Sequence, residues 1–320
     1  MKIRFGIIGL GSIANGFAQA LKTVEDAQLT AAAAKDLGRA VEFADKYQAA
    51  NAYGDYGQLI NDVNVDVVYI STTHNSHYEI TRQCLENGKA VLCEKPFTVN
   101  KAQARLLFNL SVSKHVLAME AMWSRFLPCY RKAKEWVNSG RIGKLKLLTA
   151  AVCFKAPFDP ENRYFNPDLA GGAILDCGVY PIEFAIDFAG EPPAIIEGAT
   201  TLAKTGVDNF SAITLGFPNG MLAQLSCGFT AKTDFHAKIY GTDGYIILYD
   251  FIMTEKVEMY DEQGDLAESF EQPYKFGMTY EIRHFIELYK KGAVESDIMP
   301  WRDTLACAEV FDMMKGKVLR

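Results

Sequence analysis

Apolar positions along the first 120 residues follow two alternating rhythms. Short, nearly unbroken apolar runs occur at residues 3–9, 28–34, 65–71, 90–94 and 115–120. Runs of this length read as strands, and the 65–71 run, apolar but for Asp66 and Ser71, fits a parallel sheet buried on both faces. Between them the apolar spacing is helical, over residues 11–21, 38–47 and 79–86. Asp36 stands where a cap for the second of these helices is needed, and Gly88 where the third must stop. Asn100 with Gln103 three residues on opens a further helix to about Ser113. Strand and helix alternating at this spacing predict a doubly wound parallel sheet.

After residue 122 the rhythm changes. Two helical segments, 129–139 and 176–188, lead into β-rich runs at 195–204, 210–217, 221–229, 236–240, 245–249 and 256–260. Pro218-Asn219-Gly220 and Thr242-Asp243-Gly244 are turn sequences between such runs, because Asn and Gly accept positive φ cheaply. The chain ends in two helices, 280–291 and 303–317. The expected fold class is α/β: an N-terminal Rossmann doubly wound parallel sheet, plus a C-terminal α+β domain with a large, mostly antiparallel sheet. The expected boundary separates residues 1–121, which bind a dinucleotide, from 122–320, which bind substrate and dimerise.

Composition narrows the function. The chain has 320 residues, enough for two domains. Lys and Arg number 33 against 39 Asp and Glu, a net charge of −6, so no broad basic face for nucleic acid is expected. No stretch reads as a run of some 18 apolar residues, and the glycine-broken N-terminus lacks a cleavage site, so neither a membrane span nor a signal peptide is expected. Seven cysteines, an odd number with no Cys-x-x-Cys pair, suggest reduced thiols in a cytoplasmic protein without a metal site.

Candidate chemistry begins at Gly9-Leu10-Gly11-Ser12-Ile13-Ala14, which fits the G-x-G-x-x-G/A fingerprint. Gly9 allows the tight turn, Gly11 a close approach of a pyrophosphate, and Ala14 tight packing of the helix on the strand. The free N–H groups at the helix start, near Ser12 and Ile13, face the anion. An acidic residue about 20 positions on normally holds the ribose of NAD. Here that position is Ala34, followed by Lys35 and, a turn later, Arg39. Both cations can pair with a 2′-phosphate, so NADP is expected in preference to NAD.

Two further segments stand out. Glu94-Lys95-Pro96 ends a parallel strand, at the edge where ligands bind open α/β sheets. A cis peptide at Lys95-Pro96 would aim the ammonium in one direction. In the run from Gly171 to Tyr180, Asp176 and Tyr180 lie four apart and share a helix face.

The fingerprint, the stretch from Thr72 to His77, Glu94-Lys95-Pro96 and the 171–180 run occur in that order. Together they resemble the glucose–fructose oxidoreductase/inositol dehydrogenase/MocA family across essentially the whole chain. The run from Met119 to Phe126 and the Tyr180 ending look most like its dimeric dihydrodiol dehydrogenase branch, which also resembles NADP-dependent xylose dehydrogenases. Thr73 stands where many members carry proline. The resemblance implies Lys95 at the reacting carbon and Tyr180 as acid/base. It implies Asp176, Trp123 and Phe154 around the substrate, and Thr72, His74, His77 and Glu94 with Lys95 on the cofactor side. His77 is expected in a loop near the nicotinamide, although a histidine starting a helix is often structural.

The central pair makes chemical sense. Tyrosine ionises near pH 10, and a neighbouring ammonium lowers that value and also stabilises a developing alkoxide. Asp176 would orient the lysine or bind a substrate hydroxyl. The expected function is hydride transfer between a nicotinamide and a sugar, polyol or dihydrodiol carbon. The alternatives are a reductase of a dicarbonyl, anhydrosugar or imine, and a non-catalytic NADP-sensing regulator that would have lost these groups. A flat sheet face in the second half leads to an expected homodimer or higher oligomer.

Overall fold

The computed structural model describes residues 2–319, which divide into two compact units. Unit 1 comprises Met1–Thr98, Ala102–Trp123 and Phe276–Trp301, and unit 2 comprises Val99–Lys101, Ser124–Lys275 and Arg302–Arg320. The division falls near the expected boundary but is not a single cut. Residues 276–301, assigned by sequence to the second domain, return to the first because their apolar helix face packs there.

Unit 1 is built on six strands: β1 (Ile3–Ile8), β2 (Ala27–Ala33), β3 (Asn51–Tyr53), β4 (Val67–Ile70), β5 (Ala90–Glu94) and β6 (Ala118–Ala121). All pair in parallel, in the order β3-β2-β1-β4-β5-β6. The order reverses between β1 and β4, and ligands bind such sheets outside the carboxyl ends at that switch point. Every residue of β4 and β5 is buried, as expected of central strands covered on both faces.

The helices of this unit are α1 (Ser12–Leu21), α2 (Leu37–Tyr47), α3 (Tyr56–Ile60), α4 (His74–Glu86) and, opening within unit 2's short segment, α5 (Lys101–Lys114). Asp36 caps α2 as its sequence position suggests, its carboxylate accepting the Arg39 N–H at 2.9 Å. Helix α4 begins at His74, five residues before the apolar periodicity becomes visible, so His77 sits on a helix and not in a loop. The returning segment carries α8 (Met278–Lys290), which packs on α1 and sets Phe285 against Phe5 with ring centroids 6.4 Å apart.

Unit 2 holds one eight-stranded sheet. Its strands are β7 (Leu147–Cys153), β8 (Ile195–Leu202), β9 (Asp208–Gly216), β10 (Leu222–Gly228), β11 (Ala237–Tyr240), β12 (Gly244–Tyr249), β13 (Lys256–Asp261) and β14 (Leu266–Glu271). The order is β14-β13-β12-β11-β7-β10-β9-β8, antiparallel except where β7 pairs with β10. Helices α6 (Pro128–Asn138) and α7 (Val179–Ala189) cover one face, and α9 (Trp301–Met314) closes the chain's helical order. The uncovered face carries Leu222 and Ile195 among small and polar residues, both more than half or nearly half exposed.

Residues Pro167–Ala189 correct the expectation that no stretch is long and apolar enough for a bilayer. By composition they qualify, with a mean hydropathy of 1.4, but 78% of the window is buried inside the protein. This is a core segment that ends in α7. It is anchored by Arg125, itself 1% exposed, which pairs with Glu183 on α7 and with Asp303 at 2.7 Å on α9. Removing one partner from such a buried ionic set costs about 3–5 kcal/mol, because it strands an uncompensated charge. All seven cysteines are buried free thiols.

Candidate active site

In unit 1 the site grows from the turn after β1. Gly9 has φ +88°, and a Cβ there would come within 2.7 Å of the Ser71 backbone, so glycine is required twice over. Gly11 differs. Its φ is −85°, and a Cβ built on it meets nothing within 4 Å. Neither backbone strain nor protein packing accounts for that glycine, whereas close approach of a pyrophosphate does. Ser12 and Ile13 are exposed at the α1 start, and Ala14 is fully buried against the sheet. The donor set therefore fits a dinucleotide.

Lys35 and Arg39 are exposed beyond the end of β2. The Arg39 guanidinium donates to the Leu10 carbonyl at 3.3 Å, which holds it against the glycine turn. No carboxylate occupies the β2 end, since Ala34 stands there, and Asp36 is turned to its helix cap.

The loop after β4 is braced internally. Thr72 accepts from the Ser76 hydroxyl at 2.7 Å, and His74 opens α4 with its ring centroid 5.9 Å from that of His77. His77 is fully buried, with Nδ1 2.9 Å from the Pro96 carbonyl and Nε2 3.2 Å from the Thr72 carbonyl. Burial lowers its pKa, so the imidazole is neutral at pH 7 and gives its single N–H to one carbonyl at a time. The residue ties the β4 loop to the β5 turn.

That β5 turn carries Lys95, half-buried, ahead of a cis bond to Pro96. Three buried side chains hold the turn. Glu94 accepts the Tyr69 hydroxyl from β4 and, at 3.3 Å, the Lys95 N–H. His77 reaches Pro96 from α4. Glu120, 3% exposed at the end of β6, accepts the Phe97 N–H at 2.9 Å. Trp123, half-buried, follows just beyond β6. The sequence marks Glu94 and His77 but not Tyr69 or Glu120. The available signal is a lone polar group in each of two otherwise apolar strands.

In unit 2 the chain widens at Ile174–Gly178 into a π-helical turn before α7 begins. Such widened turns are frequent at functional sites. Asp176 lies in this turn and Tyr180 in the first turn of α7, so the regular helix over 176–188 that the spacing predicts begins with a π-helical turn. Tyr180 is half-buried. Asp176 is 6% exposed and forms an ion pair with Arg163 at 2.6 Å. The Arg163 guanidinium also lies over the Tyr164 ring, 4.5 Å from its centroid. Phe154 joins the same cluster, with ring centroids 5.6 Å from Tyr164 and 5.3 Å from Phe229. The result is a carboxylate–guanidinium pair beside an aromatic group.

The widened turn is seated by a residue the sequence does not reveal. Asp208 on β9 accepts the Ile174 N–H at 2.7 Å. A Cβ on Gly172, whose φ is +125°, would come 2.2 Å from the Asp208 carboxylate. Burial pushes the Asp208 carboxyl up to about 6, against the opposing pull of the backbone N–H groups. The carboxylate is thus ionised at neutral pH despite its setting.

Comparison with known proteins bears on both units. Residues 3–122 match the model of the oxidoreductase family with an NAD-binding Rossmann fold, and residues 130–247 match the GFO/IDH/MocA C-terminal domain. Among curated relatives, trans-1,2-dihydrobenzene-1,2-diol dehydrogenase of Mus musculus is 34% identical, over 98% of this chain and 96% of its own. The Xenopus laevis protein of that name is 35% identical, over 98% and 97%. Among solved structures, a 3-ketoreductase from Actinomadura kijaniata in complex with NADP and TDP-benzene is 26% identical with a TM-score of 0.90, covering 99% of this chain and 98% of its own. A levoglucosan dehydrogenase in complex with NADH and levoglucosan shares the fold, with a TM-score of 0.89 at 19% identity over 99% and 97% of the two chains.

Proposed function

The chain belongs to the GFO/IDH/MocA oxidoreductase family, and on that premise we propose hydride transfer between NADP and a hydroxyl-bearing carbon, with Tyr180 as acid/base and Lys95 as its electrostatic partner. The carbon belongs to a vicinal diol, in a dihydrodiol or a sugar. The observation that carries this reading is the Lys95 turn, fixed by buried polar groups at the carboxyl edge of the sheet. A lysine stem has four rotatable carbons, so a rigid turn beneath it is what makes one direction useful.

The bound nicotinamide supplies the hydride acceptor or donor. Gly9, Gly11 and the α1 N-terminus would hold its pyrophosphate, and Lys35 and Arg39 its 2′-phosphate. In oxidation Tyr180, as the phenolate, takes the substrate hydroxyl proton and becomes the phenol, and in reduction the phenol gives its proton to the carbonyl oxygen. The Lys95 ammonium stabilises the negative charge that develops on that oxygen. Asp176, held by Arg163, accepts from a second substrate hydroxyl, and Phe154 with Tyr164 lies against the ring. The aromatic cluster and the full-length dihydrodiol dehydrogenase relatives support a dihydrodiol, and the ion pair suits any polyol.

A regulator that only senses NADP would have no use for these acid/base groups. The uncovered face of the unit 2 sheet fits a second copy of the chain, because exposed Leu222 and Ile195 lie among small residues on it.

Three measurements test this reading. Tyr180→Phe and Lys95→Met should each lower kcat by about 10²–10⁴-fold, with the Kd for NADP changing little. Near-normal turnover in either variant contradicts the assignment. Lys35→Asp should shift the ratio of kcat/KM values for NADP and NAD by about tenfold towards NAD, and an unchanged ratio removes Lys35 from the phosphate site. Light scattering at micromolar concentration should give at least twice the 35.5 kDa chain mass, and a monomer mass rules out the dimer face.

A further inference from the structure

The central strand β4 is apolar on both faces apart from one hydroxyl. Tyr69 is fully buried, and its ring stacks on Phe17 with centroids 3.6 Å apart. Phenylalanine would serve that stacking equally well. Burying a hydroxyl costs free energy unless it is hydrogen-bonded, so the oxygen needs a reason of its own. Its acceptor is Glu94, whose other carboxylate oxygen takes the Lys95 N–H.

We propose that Tyr69 is a positioning residue for the reaction, acting through Glu94 on Lys95. The inference rests on the reading of Lys95 as the group beside the reacting carbon.

The electrostatic surroundings of Glu94 support it. Groups face this carboxyl from every side: Tyr69 on β4, Lys95 on its own turn, Cys93 on β5, Glu120 on β6 and Glu281 on α8. Burial is the largest influence and favours the neutral acid. The Tyr69 hydroxyl is the largest opposing influence, ahead of the ammonium and amide of Lys95, and Glu120 pushes weakly with burial. Burial keeps the Cys93 thiol and the Tyr69 phenol protonated, so Tyr69 is a permanent donor. Glu281 is fully buried, and burial together with the charge of Glu94 pushes its carboxyl well above the usual carboxylate range. Deleting the Tyr69 hydroxyl therefore removes the strongest hold on the ionised form. Glu94 then takes up a proton at higher pH, and Lys95 loses the negative charge next to it in the chain.

The test uses Tyr69→Phe in the full chain, with and without Lys95→Met. One hydrogen bond to a charged acceptor corresponds to about one to two pH units. The acid limb of kcat/KM should move up by that amount, with kcat falling about tenfold near neutral pH and the Kd for NADP unchanged. In the Lys95→Met background, Tyr69→Phe should have no further effect on kcat. The carboxyl carbon shift of Glu94, followed by NMR against pH, should move by the same amount whether or not turnover occurs.

An acid limb and a Glu94 titration both left in place overturn the proposal. So does a full additional loss in the double variant, which means that Tyr69 does not act through Lys95. A Glu94 titration that moves in a protein turning over no diol or sugar overturns the reaction reading instead, and supports the Tyr69–Glu94 link alone.

Discussion

The proposed chemistry depends on one short turn braced by buried hydrogen bonds. Lys95 leaves the sheet at the end of β5, and buried polar groups from three neighbouring elements grip the residues around it. Each grip is a buried donor or acceptor that must be satisfied, so the turn is over-determined. Where the acceptor is a carboxylate, one such bond is worth about 1.5–3 kcal/mol, enough that losing any one would be felt. The parallel sheet exists in part to bring β4, β5 and β6 side by side, so that Tyr69, Glu94 and Glu120 can meet.

The second unit solves an equivalent problem with different means. The segment proposed to carry its acid/base group is a widened turn followed by a helix, which is a less regular support than a strand edge. Asp208 seats the start of the turn, Gly172 makes room for that carboxylate, and the Arg125 set ties α7 to α9. Burying charge in this way costs free energy, and the return is a defined direction for Asp176 and Tyr180. Each unit thus holds its residues of the proposed reaction on backbone braced by buried polar groups.

Much of this was legible in the residues. The Gly9–Ala14 fingerprint, the Asp36 cap and the strand rhythm of unit 1 are local signals, and local signals survive in a single sequence. The edge strands β3 and β14 escape a sequence reading because they are short or polar, and β7 because its run, apolar at six of seven positions, shows no alternation to tell strand from helix. The return of residues 276–301 to the first unit depends on tertiary packing that no periodicity encodes. Tyr69, Glu120, Arg163 and Asp208 went unmarked for a related reason. Each is a single polar residue whose role appears only once its distant partner is placed. His77 shows the reverse, since its motif is visible but its buried ring, set between two carbonyls with one N–H to give, braces the loops.

The net charge of −6 excludes a broad basic face, and it leaves room for a local pair of cations, with Arg39 held on the glycine turn and Lys35 nearby as the proposed phosphate contacts. The account stands on a protein that turns over substrate, not one that only holds a nucleotide. The most direct measurement mixes it with NADP and trans-dihydrodiols, aldoses and polyols, and follows the absorbance of the reduced nicotinamide. The account predicts steady, enzyme-dependent reduction of NADP with at least one vicinal diol. Tight NADP binding with no reduction across the whole panel, and no oxidation of NADPH by the matching carbonyl compounds, would contradict it.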